Sequence, residues 1–190
     1  TRTRQYKLAI DDFNRAAQLF PEHAPIYNNR GNTLLAIGQP KEAARDFDRA
    51  ILLAPGYAAA YNNRASAYLL LGQSADAIKD YSKAIELMPA SAAPLSGRGR
   101  AFLQQDRPYA AMRDFSRALQ SDSRFAAGYR ARAEAKLAVD RYEDAVEAYR
   151  RVDKASPYSW NARQKLADAL DQAGRSDAAL KILQDMTEER

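Results

Sequence analysis

Apolar residues recur every three or four positions along nearly the whole chain, and short breaks containing glycine and proline separate the runs. This spacing places the apolar residues of each run on one face of a helix. Between Tyr27 and Pro55, two such runs flank the sequence Gly-Gln-Pro at positions 38–40. Glycine and proline side by side mark a tight turn, so this stretch predicts a hairpin of two amphipathic helices.

The same hairpin pattern returns after 34 residues. YNNRGNTLLAIGQPKEAARDFDRAILLAP begins at Tyr27, and YNNRASAYLLLGQSADAIKDYSKAIELMP begins at Tyr61. A fixed period of this length predicts a single stacked array, in which each hairpin buries its apolar face on its neighbours. The predicted fold class is therefore all-α, with about 11 helices. The repeats are assigned as one half repeat with only a second helix, four full repeats and a divergent terminal repeat, at residues 1–23, 24–57, 58–91, 92–125, 126–159 and 160–190.

The buried positions of the hairpins carry a family resemblance. In the first full repeat they are Tyr27, Gly31, Leu34, Ala43, Phe47, Ala50 and Pro55. This pattern resembles the tetratricopeptide repeat family, whose repeats are 34-residue helix–turn–helix units. The resemblance implies a right-handed superhelical solenoid of antiparallel helix pairs. It also implies a concave groove, lined by the first helices, that binds peptides or other proteins without catalysing a reaction.

The resemblance further implies which side chains face a ligand. The expected groove residues are Asn28, Asn29, Asn32, Asn62, Asn63, Ser66, Ser96, Arg100, Arg130 and Glu134. Asparagine offers both donors and acceptors to an extended peptide backbone, although it can also simply solvate a helix face. An asparagine ladder like that of glycosyltransferase-linked superhelices would span only Asn29 and Asn63, because Gly97 follows in the same column. Arg100 and Arg130 suit a carboxylate or phosphate group.

Arginine and aspartate occupy two further columns of the repeat. The arginines are Arg30, Arg64, Arg98 and Arg132, and the aspartates are Asp12, Asp46, Asp80 and Asp114. Each arginine could pair within its own repeat or with the aspartate of the preceding repeat. Ala148 and Leu166 replace both partners of the next inter-repeat pair together, which favours the second arrangement. We therefore predict structural ion pairs Asp12–Arg30, Asp46–Arg64, Asp80–Arg98 and Asp114–Arg132 beneath the groove.

The chain carries a formal net charge of +5, and this excess suggests an alternative function. A basic stripe is expected on the convex face, formed by Arg15, Arg45, Arg49, Lys79, Lys83, Arg113, Arg117 and Arg151. Such a stripe could contact the phosphates of nucleic acid or of a membrane surface. Acidic neighbours such as Glu42 and Asp76 dilute it, so a solvated face is favoured and nucleic acid is disfavoured as a partner.

Candidate chemistry is sparse in this sequence. It has no cysteine, its single histidine lies in a predicted turn at His23, and it contains no phosphate-binding loop. We therefore predict no catalytic residue, metal site or cofactor. No apolar run approaches the length of a membrane span. The compartment is left open, with the cytoplasm slightly favoured over the periplasm or secretion.

The leading hypothesis is a protein-interaction scaffold that binds an extended segment, preferably an acidic one, in its groove. A third hypothesis is self-association through the open ends of the array. The first helix lacks a partner helix in this sequence, which would leave apolar surface near Tyr6, Phe13 and Phe20.

Overall fold

The computed structural model describes residues 2–121, 126–137, 142–155 and 160–188. Within these ranges, only the backbone is described for residues 2–4, 126–130, 142–143, 152–155, 161–162 and 188. These residues form eleven helices, and no strand occurs among them. The predicted all-α fold of about 11 helices is therefore confirmed for this part of the chain. The helices are α1 (Arg2–Leu19), α2 (Ala24–Ala36), α3 (Pro40–Leu53), α4 (Ala58–Leu70), α5 (Ser74–Leu87), α6 (Ala92–Gln104), α7 (Pro108–Ser121), α8 (Ala126–Leu137), α9 (Tyr142–Ala155), α10 (Trp160–Gln172) and α11 (Ser176–Glu188).

The turns inside the hairpins share one unusual backbone conformation. Gly38 and Gly72 follow the first helices of their repeats with φ of +78° and +75°. Glycine adopts this left-handed region without steric cost, so it ends a helix and reverses the chain. Asp106 takes the equivalent place after α6 with φ of +53°. Aspartate is one of the few other residues that tolerate this conformation.

Small residues allow the two helices of a hairpin to approach closely. The ring of Phe47 in α3 is completely buried and lies against Gly31 in α2. A Cβ atom on Gly31 would lie only 2.6 Å from Cε1 of Phe47, well inside van der Waals contact. The glycine therefore makes room for the ring, as the alternation of small and large buried residues in the sequence predicts.

The chain divides into two compact units, Thr1–Ala101 and Phe102–Arg190. In the first unit, Tyr81 packs with Ala65, Ala77 and Ala101 in a buried cluster. In the second unit, Tyr149 and Leu170 are completely buried or nearly so. None of the described helices is both long enough and apolar enough to cross a membrane.

Candidate functional site

Arg30 and Arg64 pair with aspartates of their own repeats, so the predicted forward pairing is wrong for these two arginines. Arg30 donates from Nε and Nη2 to the two carboxylate oxygens of Asp46, at 2.7 and 2.5 Å. Arg64 binds Asp80 in the same forked manner, at 2.6 and 2.8 Å. The two helices of a hairpin run antiparallel, which brings side chains 16 positions apart next to each other.

These contacts replace the predicted pairs Asp12–Arg30 and Asp46–Arg64. They also occupy both carboxylate oxygens of Asp80, which was assigned to Arg98. The pairing of Asp114 with Arg132 stays a prediction.

The remaining guanidinium nitrogen of each arginine reaches back to the preceding repeat. The Nη1 atoms of Arg30, Arg64 and Arg98 donate to Asn14 Oδ1 at 2.8 Å, to Asp48 Oδ1 at 2.7 Å and to Ser82 Oγ at 2.9 Å, respectively. The three acceptors share one repeat position but differ in residue type, so they do not stand out as a column in the sequence. A search for any hydrogen-bond acceptor 16 positions before each arginine would have found them.

Arg30 and Arg64 therefore each link three helices. The hydrogen bond with Asp46 raises the pKa of Arg30, although burial opposes the increase. The hydrogen bond with Asp80 likewise raises the pKa of Arg64. Arg30 and Arg64 are already satisfied by protein groups, so these two residues do not form an open site for an anionic ligand.

Four asparagine side chains on α2 and α4 form a connected series of hydrogen bonds, here called the asparagine relay. Asn62 Nδ2 donates to Asn63 Oδ1 at 3.2 Å. Asn63 Nδ2 donates to Asn28 Oδ1 at 3.0 Å, which links two successive repeats. Asn28 Nδ2 donates to Asn29 Oδ1 at 3.2 Å. The relay therefore runs in one direction, from Asn62 to Asn29.

Burial separates the members of the relay into different roles. Asn28 is only 4% exposed, whereas Asn29 is exposed and Asn62 and Asn63 are half-buried. Asn28 therefore holds its neighbours in place and has little surface to offer a ligand. The amide nitrogen of the exposed Asn29 donates no hydrogen bond to another described residue. At the other end, the Oδ1 atom of Asn62 remains as an acceptor.

The asparagine column stops at Gly97 for a steric reason. Gly97 occupies the repeat position of Asn29 and Asn63, and a Cβ atom there would lie 2.3 Å from the Tyr81 ring. Ser66 donates to the backbone oxygen of Asn62 at 3.0 Å, which leaves its Oγ atom to accept the Tyr81 hydroxyl at 2.9 Å. The aromatic ring therefore fills the space that the next asparagine would need.

Burial raises the pKa of Tyr81, while its hydrogen bond with Ser66 and the nearby charge of Arg100 act in the opposite direction. Arg100 itself is exposed, as are Asn32 and Glu134. Ser96 is 8% exposed, so it is buried rather than available for binding. The side chain of Arg130 lies outside the described residues.

All of the accessible candidates except Glu134 therefore lie on the first helices of the first compact unit. They are Asn29, Asn32, Asn62, Asn63, Ser66 and Arg100. Their use by a ligand stays a prediction. No group of three acidic, histidine or cysteine side chains is arranged for a metal ion within the described part of the chain.

The basic stripe is partly neutralised by acidic neighbours on its own helices. Lys83 lies 3.0 Å from Glu86, and Arg151 lies 2.7 Å from Glu147. The guanidinium group of Arg49 lies over the Tyr27 ring, 5.8 Å from its centroid. Exposed pairs of this kind contribute little to stability, but they reduce the positive potential that a nucleic acid would meet.

The surface predicted for self-association is only partly apolar and accessible. Phe20 is 63% exposed, whereas Tyr6 and Phe13 are half-buried. Leu8 and Leu19 in the same helix are exposed as well. Self-association through this helix stays a prediction.

Several solved structures share this fold. PilW, a type IV pilus biogenesis factor, superposes with a TM-score of 0.90 at 17% identity, over 98% of this chain and 87% of PilW. MamA from Desulfovibrio magneticus RS-1 gives 0.78 at 18% identity, over 87% and 93% of the two chains. YrrB, described as a TPR protein with an unusual peptide-binding site, gives 0.70 at 18% identity, over 90% and 89%. No curated protein matches the sequence.

Three sequence patterns of the tetratricopeptide repeat match the chain. The first covers residues 24–57 and 58–91, the second residues 96–159 and the third residues 136–190. The matches together span most of the sequence, and the hairpins α2–α3 and α4–α5 coincide with the two matches of the first pattern. The chain therefore belongs to the tetratricopeptide repeat family.

Proposed function

We propose that this protein is a non-enzymatic scaffold that binds an extended protein segment across the first helices of its first compact unit. The asparagine relay carries this proposal. It joins two successive repeats through side-chain hydrogen bonds, and both of its ends remain open. The family membership supports a protein-interaction scaffold, and the fold likeness to the peptide-binding YrrB agrees with it.

The relay suits a peptide backbone better than a particular side chain. The amide nitrogen of Asn29 can donate to a main-chain carbonyl, and the amide oxygen of Asn62 can accept from a main-chain N–H. Every residue of a ligand carries these two groups, so this contact does not depend on the ligand sequence. Because Asn28 already fixes its neighbours, less conformational entropy is lost on binding.

Arg100 provides the preference for an acidic ligand. It occupies the repeat position of Asn32 and Ser66, one repeat further along the chain, and its side chain is exposed. A guanidinium group can bind both oxygens of a carboxylate at once. An aspartate, a glutamate or a terminal carboxylate at this point would therefore fix the ligand along the first-helix face.

The test uses a display library of random peptides, about 12 residues long, selected on the immobilised full chain. Selected peptides are then measured by fluorescence anisotropy against the wild type and two variants. We expect Asn29→Ala/Asn63→Ala to weaken binding by about tenfold or more, through the loss of backbone hydrogen bonds. Arg100→Glu should weaken peptides that contain acidic residues and leave their glutamine analogues nearly unchanged.

Lys83→Glu serves as the control, because it makes the same charge reversal on a second helix. Circular dichroism verifies that all variants remain folded. If the double asparagine variant binds the selected peptides as well as the wild type does, the site is misplaced. If the double asparagine variant weakens binding but Arg100→Glu does not, the proposed backbone-binding site is supported and the proposed preference for acidic ligands is wrong.

A further inference from the structure

The outer face of α7 has a composition unlike a solvated helix surface. Five of its residues border a surface depression of about 670 Å³: Tyr109, Met112, Arg113, Ser116 and Arg117. Successive members are three, one, three and one positions apart, so they lie on one side of the helix. This side differs from the buried side of α7, and Tyr109 is 67% exposed.

In α5, the equivalent basic residues are neutralised by their own helix. Lys79 lies 3.3 Å from Asp76, and Lys83 lies 3.0 Å from Glu86. Each lysine is thus provided with a carboxylate three positions away. This arrangement is typical of a solvated helix surface.

In α7, the acidic neighbours are missing. Ala110 and Gln120 stand at the positions of the two α5 carboxylates. Asp114, the sole acidic residue of α7, is buried at 4% exposure. Among the described residues, no carboxylate lies within ion-pair distance of Arg113 or Arg117. The two guanidinium groups stand one turn apart on the same side, where their like charges repel each other.

We infer that this face of α7 is a second docking surface, which takes an acidic amphipathic segment of a partner protein. An apolar side chain of the partner occupies the depression against Tyr109 and Met112. Carboxylates on the adjoining turn of the partner pair with Arg113 and Arg117. Tyrosine, methionine and arginine are the residue types enriched at protein–protein interfaces, which agrees with this assignment.

The charge distribution favours a protein over a nucleic acid or a membrane. Binding to a phosphate backbone or to a lipid surface requires a track of many basic residues. Here the equivalent positions are neutralised in α5, and Arg151 in α9 pairs with Glu147 at 2.7 Å. Two unneutralised charges beside an apolar depression instead match a short segment with two carboxylates and one apolar side chain.

The surface is tested with three fluorescent synthetic helical peptides of about 14 residues, which share leucine and phenylalanine at helical spacing. Their polar positions carry glutamate, glutamine or lysine. We expect the glutamate peptide to bind the full chain, and Arg113→Glu/Arg117→Glu to weaken it by about tenfold or more. The matched reversal Lys79→Glu/Lys83→Glu and the first-helix variant Arg100→Glu should each change the affinity by less than about twofold.

A second variant separates docking from charge alone. Tyr109→Ala removes an exposed ring without changing charge, and it should weaken the glutamate peptide by about tenfold, since aromatic residues often dominate interface affinity. Equal binding of the glutamate and glutamine peptides would overturn the inference, as would failure of the glutamate peptide to bind. The inference would also be overturned if a short DNA duplex, or vesicles rich in phosphatidylserine, competed with the glutamate peptide for the wild type and did not bind Arg113→Glu/Arg117→Glu. Because Arg100→Glu serves as a separate control, this result is distinguishable from failure of the first-helix site.

Discussion

Gly97→Ala tests whether the Tyr81 ring determines where the asparagine column ends. The added Cβ atom would lie 2.3 Å from both Cε1 and Cζ of Tyr81, and 2.7 Å from its hydroxyl oxygen. Carbon atoms in good contact are about 3.5–4.0 Å apart, so the ring would have to move by more than about 1 Å. Tyr81 is only 3% exposed and its hydroxyl is hydrogen-bonded to Ser66, so the ring has little room to move.

The expected loss of stability combines three contributions. Overpacking a tight core costs about 1–3 kcal/mol. Displacing the ring also breaks its hydrogen bond with Ser66, which costs about 1 kcal/mol. Alanine is a better helix former than glycine, which returns about 1 kcal/mol within α6. We therefore expect Gly97→Ala to lower the free energy of unfolding by about 1–3 kcal/mol.

Urea unfolding followed by circular dichroism measures this change. Gly56→Ala is the matched control, because a Cβ atom there meets nothing within 4 Å. It should leave the stability unchanged or raise it by up to about 1 kcal/mol. In a Tyr81→Ala background, Gly97→Ala should become neutral or stabilising, because the clash has been removed. The reasoning fails if Gly97→Ala in the wild-type chain is as stable as the control.

Two further predictions concern the interactions that hold the repeats together. Asp46→Ala should lower the free energy of unfolding by about 2–4 kcal/mol, because it removes both hydrogen bonds to the partly buried Arg30. Asp12→Ala, at the same repeat position, should change the free energy of unfolding by less than about 0.5 kcal/mol. Urea midpoints of the two variants compare within-repeat with forward pairing directly, and a larger loss for Asp12→Ala would contradict the observed contacts. Because burial raises the pKa of Tyr81, the unfolded chain releases this proton first, so stability should fall as pH rises from about 10 through the folded pKa. Tyr81→Phe should reduce that fall when urea unfolding is compared at about pH 9 and about pH 11, and an unchanged pH slope would show that Tyr81 does not titrate differently in the two states.

The sequence predicted the helices well because their signal repeats. Apolar spacing, the Gly-Gln turn and the 34-residue period all indicated the same hairpins, and each repeat confirmed the register of the others. The small residue at Gly31 and the ring at Phe47 were correctly assigned to the core for the same reason. A pattern that recurs in several repeats averages out the local exceptions.

The direction of the ion pairs could not be obtained from the pattern. Ala148 replaces the aspartate of one repeat and Leu166 replaces the arginine of the next, which agreed with pairing between the two repeats. Each replacement can equally be an independent change within its own repeat. The deciding factor is geometric: antiparallel helices of one hairpin bring Arg30 within reach of both oxygens of Asp46. Residue counts along a chain contain no information about which of two nearby carboxylates presents both oxygens.

The neighbouring asparagines show the same limit within a single helix. Asn28 and Asn29 are adjacent and chemically identical, yet one is buried and the other is exposed. The difference depends on α4, because Asn63 uses the buried amide oxygen of Asn28. A family resemblance assigns such residues to a surface by position alone, whereas their burial depends on how closely the next repeat packs.

Under the proposed function, the residues that face the ligand can vary without loss of the fold, because other columns hold the repeats together. Arg30 and Arg64 bind the aspartates of their own repeats and an acceptor in the preceding one, so the stacking of repeats does not depend on the exposed asparagines. Asn29 and Arg100 are exposed and can change without breaking those contacts. Gly97 is the exception, because its position is fixed by the Tyr81 ring beneath it. In this chain, the core therefore limits how far the asparagine column can extend, whereas the exposed side chains of Asn29 and Arg100 are not subject to that limit.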